Sequence, residues 1–194
     1  YSHTPHSFKT GKRLKTNWQK TNCLILDIDN SHSENEETWL DTNSVAQLIG
    51  APHYIIPSKS HMRWKTNIDG SIRKNEGDSP RPRLHIYIPT EQDIEDADLF
   101  EYLSDTIKNQ FTFDNVCLLD TSVSGRSGSF FSSNSIDREF CSYNARNTNF
   151  FDWIEQISYQ SLEEFKTKRT HKKTSKKGQR SIKVLDPNVK DKNL

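Results

Sequence analysis

The sequence predicts an α/β (α+β) domain, a mixed or antiparallel sheet with flanking helices. Three observations predict it. Two apolar runs of strand length, 22–29 and 115–120, each end in carboxylates. Between them, 83–88 alternates Leu84, Ile86 and Ile88 with Arg83, His85 and Tyr87, the period-2 signature of a strand with one apolar face. Residues 93–110 place Ala97, Phe100, Leu103 and Ile107 at helical spacing with acids in the first turn, as an amphipathic helix requires.

Taken in order, residues 1–20 are expected to be an N-terminal arm that docks on the core, polar and basic, with Phe8, Leu14 and Trp18 as its bulky apolar anchors. The domain itself is expected over 21–165. Its first strand, 22–29, ends in Asp27-Ile28-Asp29-Asn30, followed by a polar connection through Glu37. A short helix carrying Trp39, Leu40, Val45, Leu48 and Ile49 is expected to stop at Gly50, with Pro52 just beyond. His53 to Pro57 reads as a second strand, and Ser58 to Lys65 as a basic loop. Asp69-Gly70 marks a hairpin turn, and residues 75–78 a flexible stretch. Pro82 and Pro89 are expected to bracket the strand 83–88. After the run ending at Asp120, residues 121–135 are rich in Ser and Gly and contain Arg126, with Phe130-Phe131 near the end. A last helix is expected over 148–165, and 166–194 is a basic tail or linker.

Composition limits the classes of function. A 31% hydrophobic content and a mean hydropathy of −0.89 are low for a fully packed chain of 194 residues, so disordered ends around a smaller core are expected. No apolar run approaches the roughly 18 residues of a membrane span, and no charged-then-apolar leader opens the chain, so a cytoplasmic protein without a membrane partner is expected. The chain opens at Tyr1 rather than Met, as a fragment or processed protein would. Cys23, Cys117 and Cys141 are odd in number and widely spaced, and no CxxC pair is present. Neither a disulfide framework nor a structural zinc site fits.

The net charge of +1 averages two opposites. Residues 166–183 carry nine Lys or Arg and no acid, whereas 1–165 carry 16 basic and 24 acidic groups. An acidic body with a basic tail suits a protein that gathers cations at one place and touches phosphate at another. A solubilising linker would have the same composition.

Asp27 and Asp29 carry the chemistry of the first strand. Alternate side chains of a strand share a face, so the two acids point the same way and repel. A hard cation such as Mg²⁺ or Mn²⁺ between them would relieve that repulsion, while a strand running out into an acidic turn would leave it to solvent. Arg83 and His85 share a face with Tyr87, which is read as open. Each motif has a plain structural alternative: Asp120 as a turn former, His85 as a satisfied surface histidine.

In combination and order, Leu24-Ile25-Leu26-Asp27-Ile28-Asp29, Pro82-Arg83-Leu84-His85-Ile86-Tyr87 and Cys117-Leu118-Leu119-Asp120 resemble the archaeo-eukaryotic primase superfamily. The likeness is to the primase-polymerase catalytic domains of phages, plasmids and mobile elements, and it spans 22–131. It implies an RRM-like catalytic core hosting a two-metal nucleotidyltransferase, a primase or DNA polymerase. Asp27, Asp29 and Asp120 would be both the catalytic acids and the ligands of two Mg²⁺ or Mn²⁺ ions, about 3.5–4 Å apart. Arg83 would clamp a phosphate and His85 would donate to the triphosphate. Lys59, Ser60 and His61 are further candidates for the nucleotide or template, and Arg126 for the triphosphate or primer strand. The implied partners are nucleoside triphosphates, a single-stranded DNA template with its primer, and a helicase domain or protein downstream. Two features depart from the family pattern: Ser129 stands where an Arg often precedes the aromatic pair, and no Cys/His cluster can build the zinc module of many members.

Two rival readings use the same residues. The first is a phosphodiesterase, a metal-dependent nuclease or a replication-initiator nickase; the nickase would want two His flanking an apolar residue and a downstream catalytic Tyr, and Leu84-His85-Ile86-Tyr87 has one His. A non-catalytic nucleic-acid-binding module would use Tyr87 and the basic tail.

Overall fold

The alternation of apolar and polar residues is realised as one main antiparallel sheet covered on one side by helices. The structure, a computed structural model, describes residues 2–75, 77–131 and 141–178. In chain order the elements are β1 (Ser2–His3), β2 (Ser7–Phe8), β3 (Trp18–Ile28), a 3₁₀ turn (Glu36–Thr38), α1 (Thr42–Leu48), β4 (His53–Pro57), β5 (Leu84–Ile94) and α2 (Ala97–Gln110). There follow β6 (Thr112–Phe113), β7 (Val116–Cys117), β8 (Phe130–Phe131), β9 (Ser142–Asn144), α3 (Phe150–Ile157) and α4 (Leu162–Gly178). The chain falls into two units divided between Tyr159 and Gln160, the second built around α4.

Five strands lie in the order β2-β3-β5-β4-β9, every neighbouring pair antiparallel. The register sets the core. Leu26, Ile86 and Ile55 lie side by side across β3, β5 and β4, as do Ile28, Leu84 and Pro57. All six side chains are buried, and α2 and α3 pack on β5. Asp96 caps α2 by accepting from the amides of Asp98 and Leu99, and Asn149 caps α3 through the amide of Asp152. Phe100, Leu103 and Ile107 of α2 and Phe150, Trp153 and Ile154 of α3 then fill the apolar layer. One face of the sheet is thus packed and the other is available to carry function.

The N-terminal arm docks on the core through the sheets: β2 pairs with the start of β3, β1 pairs with β8, and Trp18 already belongs to β3. Several other expectations are corrected. Trp39 and Leu40 precede α1, whose N-cap is Asp41, so the helix starts later than its apolar residues suggest. β5 runs through Pro89 to Ile94 instead of stopping there. The register shifts between Thr21 and Cys23, and this irregularity absorbs the amide that Pro89 lacks.

The expected strand 115–120 is mostly not a strand. Asp114 and Asn115 both adopt positive φ (48° and 65°), the conformation of a two-residue hairpin turn, and fold β7 back onto β6. Leu118 to Asp120 then continue as irregular backbone, anchored by the Leu118 amide on the Phe111 carbonyl (2.9 Å).

The expected helix 148–165 is two helices. α3 ends at Ser158, and Ser161 opens α4 with a reciprocal box in which the Ser161 amide donates to Glu164 Oε2 (3.0 Å) and the Glu164 amide donates to Ser161 Oγ (3.2 Å). The basic segment therefore begins inside α4. Its last part, from 179 on, lies outside the described residues, as do Glu76 and the 132–135 end of the Ser/Gly-rich stretch. Among the described residues no helix is long and apolar enough to cross a membrane.

Gly128 fixes the loop that follows Asp120. A Cβ there would meet the Val123 carbonyl oxygen at 1.6 Å, a backbone atom with nowhere to move. Val123 is the residue that packs this loop onto Ile25. Gly128→Ala is therefore expected to cost about 1–3 kcal/mol in chemical denaturation, and an unchanged midpoint would contradict the placement of the loop.

Candidate functional site

The open face of the sheet carries the acids. Asp27 and His85 are directly paired across β3 and β5, so they share that face, and Ile25 and Tyr87 form the next row. Asp120 reaches the same place from a different segment, its amide donating to the Asp27 carbonyl oxygen at 2.8 Å. Asp29 lies just beyond the end of β3, where Asn30 turns the chain with φ +50°. Asn30 is buried, donates to the carbonyls of Leu40 (2.9 Å) and Pro82 (2.8 Å), and accepts from the Leu40 amide (2.8 Å). A cleft of about 350 Å³ opens between residues 29–32 and 117–121, with Asp29 and Asp120 in its walls.

The electrostatics of this corner centre on Asp27. Burial, then the charges of Asp29 and Asp120, push its carboxyl up to about 8, against the partial opposition of Lys65 and Arg83. Its Oδ1 is buried and accepts no hydrogen bond. His85 Nε2 stands 4.0 Å from that oxygen. Burial, reinforced by His3, lowers the imidazole to about 4, so it is neutral near pH 7 and the contact is not an ion pair.

Asp29 is held by cations of the protein itself. Lys65 Nζ is 2.7 Å from Oδ2, and Arg83 Nε is 3.6 Å from Oδ1. Lys65 comes from the hairpin 65–73, whose tip is closed by Gly70 at φ +84° as the Asp69-Gly70 pair predicts. In sequence Lys65 looks like any other cation of that hairpin, so nothing local marks it as a partner of Asp29.

Arg83 is placed differently from the exposed phosphate clamp expected of it. It is 1% exposed, and Nη1 donates to the carbonyls of Ser60 (2.7 Å) and Arg63 (3.0 Å) while Nη2 donates to those of Gly77 and Ser79 (both 2.8 Å). Its four terminal N–H groups thus knit the loop after β4 to the turn before β5. Arg81, unnoticed in the sequence, does the same one pleat earlier. It forks onto Glu34 (2.8 and 2.7 Å), donates to the Asn30 carbonyl (2.7 Å) and lies over the Trp39 ring. The signal was the spacing: in Pro80-Arg81-Pro82-Arg83 the extended backbone sends both guanidinium groups to one side.

The remaining candidates divide. Lys59 is exposed, Ser60 contributes its carbonyl to Arg83, and His61 Nδ1 accepts the Arg83 amide (3.2 Å), so all three border the start of β5. Arg126 is not brought to the acids. It donates to Glu101 Oε1 on α2 (3.1 Å) and lies over Trp18, near the opposite end of β3 from Asp27.

The face expected to be open is half covered. Val123 packs on Ile25 with Cys23 and Tyr87 around it, and His3 stacks on Tyr87 and hydrogen-bonds its hydroxyl. The β4 and β9 side remains accessible.

The chemistry of Asp27, though not the present arrangement of the acids, suits a divalent cation. A buried carboxylate oxygen without a hydrogen bond, on a carboxyl raised by burial and then by two neighbouring acids, is the environment that a hard cation with oxygen ligands relieves. Among the described residues, however, no three His, Cys, Asp or Glu side chains are gathered closely enough to hold a metal as they stand. Asp29 is turned instead onto Lys65, so metal binding would require that pair to open. Comparison with family models, curated proteins and solved structures gives no match, which leaves the residues themselves to carry the functional reading.

Proposed function

We propose that the chain is a nucleotidyltransferase of the primase-polymerase kind, initiating or extending strands on a single-stranded DNA template. The observation that carries this reading is Asp27, a carboxyl raised to about 8 by burial and then by Asp29 and Asp120, which approach from separate segments beside a neutral histidine. The topology supports it. The sequence β3-α1-β4-β5-α2 with β5 between β3 and β4 follows the order of an RRM-like core, in which the acids sit on the face opposite the helices.

Asp27, Asp29 and Asp120 would hold Mg²⁺ or Mn²⁺. When bound, such ions neutralise the charge that develops on the triphosphate and lower the pKa of the attacking hydroxyl. His85, neutral and fixed opposite Asp27, would donate a hydrogen bond to the triphosphate. Arg83 would act by holding the loop that carries Lys59, Ser60 and His61, and Lys59 would meet the nucleotide from that loop. Lys65 would leave Asp29 for the incoming phosphates. The basic part of α4, from Lys166 onward, would lead toward a helicase domain or touch DNA.

A second reading, a non-catalytic nucleic-acid-binding module, is favoured by the Lys65–Asp29 pair, which lets the acid persist without a metal. Incubation with labelled primer-template, dNTPs and Mn²⁺ or Mg²⁺ separates the possibilities. Longer products are expected. Shortened strands would mean a nuclease, and a mobility shift without any change in length would mean the binding module.

A further inference from the structure

The accessible half of the functional face is aromatic. Tyr54 is paired with Tyr87 on one side and with Tyr143 on the other, so the three stand in one row across β5, β4 and β9. Tyr54 and Tyr143 are 45% and 56% exposed, with ring centroids 4.7 Å apart and planes inclined by 35°. The neighbouring row on the same face holds Asp27, His85 and Ile56. Side chains two residues apart along a strand are separated by about 7 Å.

We propose that Tyr54 and Tyr143 form a stacking platform for the bases of a single-stranded nucleic acid, one row away from the acids. The inference rests on the proposed function for its partner and deepens it by saying where the strand lies. Two half-exposed rings side by side on an antiparallel sheet offer flat π-faces that accept any base, which is the property a sequence-tolerant single-strand site needs. The opposite face of these strands is packed by helices, so the rings do not serve the core. Charge favours the same occupant. β4 leads directly from Tyr54 into the segment 58–74 bearing Lys59, Arg63 and Lys74, all exposed cations suited to a phosphodiester backbone. An apolar protein partner would find the acid row and these cations at the edge of its contact.

The test is fluorescence anisotropy of labelled oligo(dT), and of an abasic strand of the same length, in EDTA so that no catalysis is needed. Wild type is expected to bind the base-bearing strand more tightly than the abasic one. Tyr54→Ala with Tyr143→Ala should weaken oligo(dT) binding at least about tenfold and abolish the difference between the two strands. Tyr54→Phe with Tyr143→Phe should retain most of the affinity, which shows that the rings and not the fold are being read. Equal affinity of the double alanine variant and wild type for oligo(dT) would overturn the platform, even if wild type extends primers. A dimer in light scattering that the double alanine variant dissolves would also overturn it, assigning the face to self-association. Conversely, Asp27→Asn should bind oligo(dT) like wild type, and its full activity in primer extension would sink the proposed function without touching the platform.

Discussion

Replacing Asp27 with Asn is expected to reduce nucleotide incorporation by on the order of a thousandfold while making the metal-free protein more stable near pH 8. The two effects have one cause. Asp27 is forced into a place where its charge is unfavourable, with Oδ1 buried and two further acids beside it. Its folded value of about 8 lies above the ordinary 3.8. The folded state therefore binds more protons than the unfolded chain between those values, and stability falls as pH rises from about 4 toward about 8. Asn removes the penalty, a matter of a few kcal/mol at most after solvent screening. Thermal denaturation should show the variant above wild type at pH 8, with the curves meeting near pH 4. If Asp27 were merely a turn residue, the variant would melt at or below wild type at every pH.

Arg83→Ala is expected to be the most destabilising single change at the site, by about 3–5 kcal/mol in urea titration. The guanidinium is buried and its four terminal donors satisfy the carbonyls of Ser60, Arg63, Gly77 and Ser79. Removal leaves the buried Gly77 carbonyl without its donor, unties the part-buried carbonyls of Ser60, Arg63 and Ser79, and takes a cation away from Asp29. Arg83→Lys should rescue little, because an ammonium on a flexible stem cannot reach four acceptors spread around a planar fork. An exposed phosphate clamp would behave otherwise: its loss would leave the urea midpoint within about 0.5 kcal/mol and weaken nucleotide binding alone.

These two residues mark how far the sequence could be read. The Asp-x-Asp strand, the alternation at 84–88 and the capped helix α2 were legible because each is a local pattern with a fixed period. Alternation also assigns Arg83, His85 and Tyr87 to the face opposite the core, but it is silent on whether that face is covered. The cover comes from His3 and Val123, far away in the chain, and from loops that Arg83 itself ties down. The segment 115–120 misled for a local reason. Its apolar run reads as a strand, while Asp114 and Asn115 supply a left-handed turn at its start that pairs only Val116 and Cys117 back onto β6. Pro89 misled because a proline stops a regular strand but not one whose register slips beside it. In the site, Asp27 and Asp29 follow from their spacing. The pairing of Asp29 with Lys65 depends on how the hairpin folds back over the sheet, and no spacing encodes it.

If Asp27, Asp29 and Asp120 together form the proposed divalent-cation site, calorimetric titration of Mn²⁺ into the protein at pH 7, in buffers of different ionisation enthalpy, will register it. Wild type should bind Mn²⁺ with release of about one proton per site, because the Asp27 carboxyl near 8 must ionise to become a ligand. Asp27→Asn and Asp120→Asn should each weaken binding and remove the buffer dependence or most of it. Absence of Mn²⁺ binding by wild type, or equal binding after both substitutions, would contradict the claim.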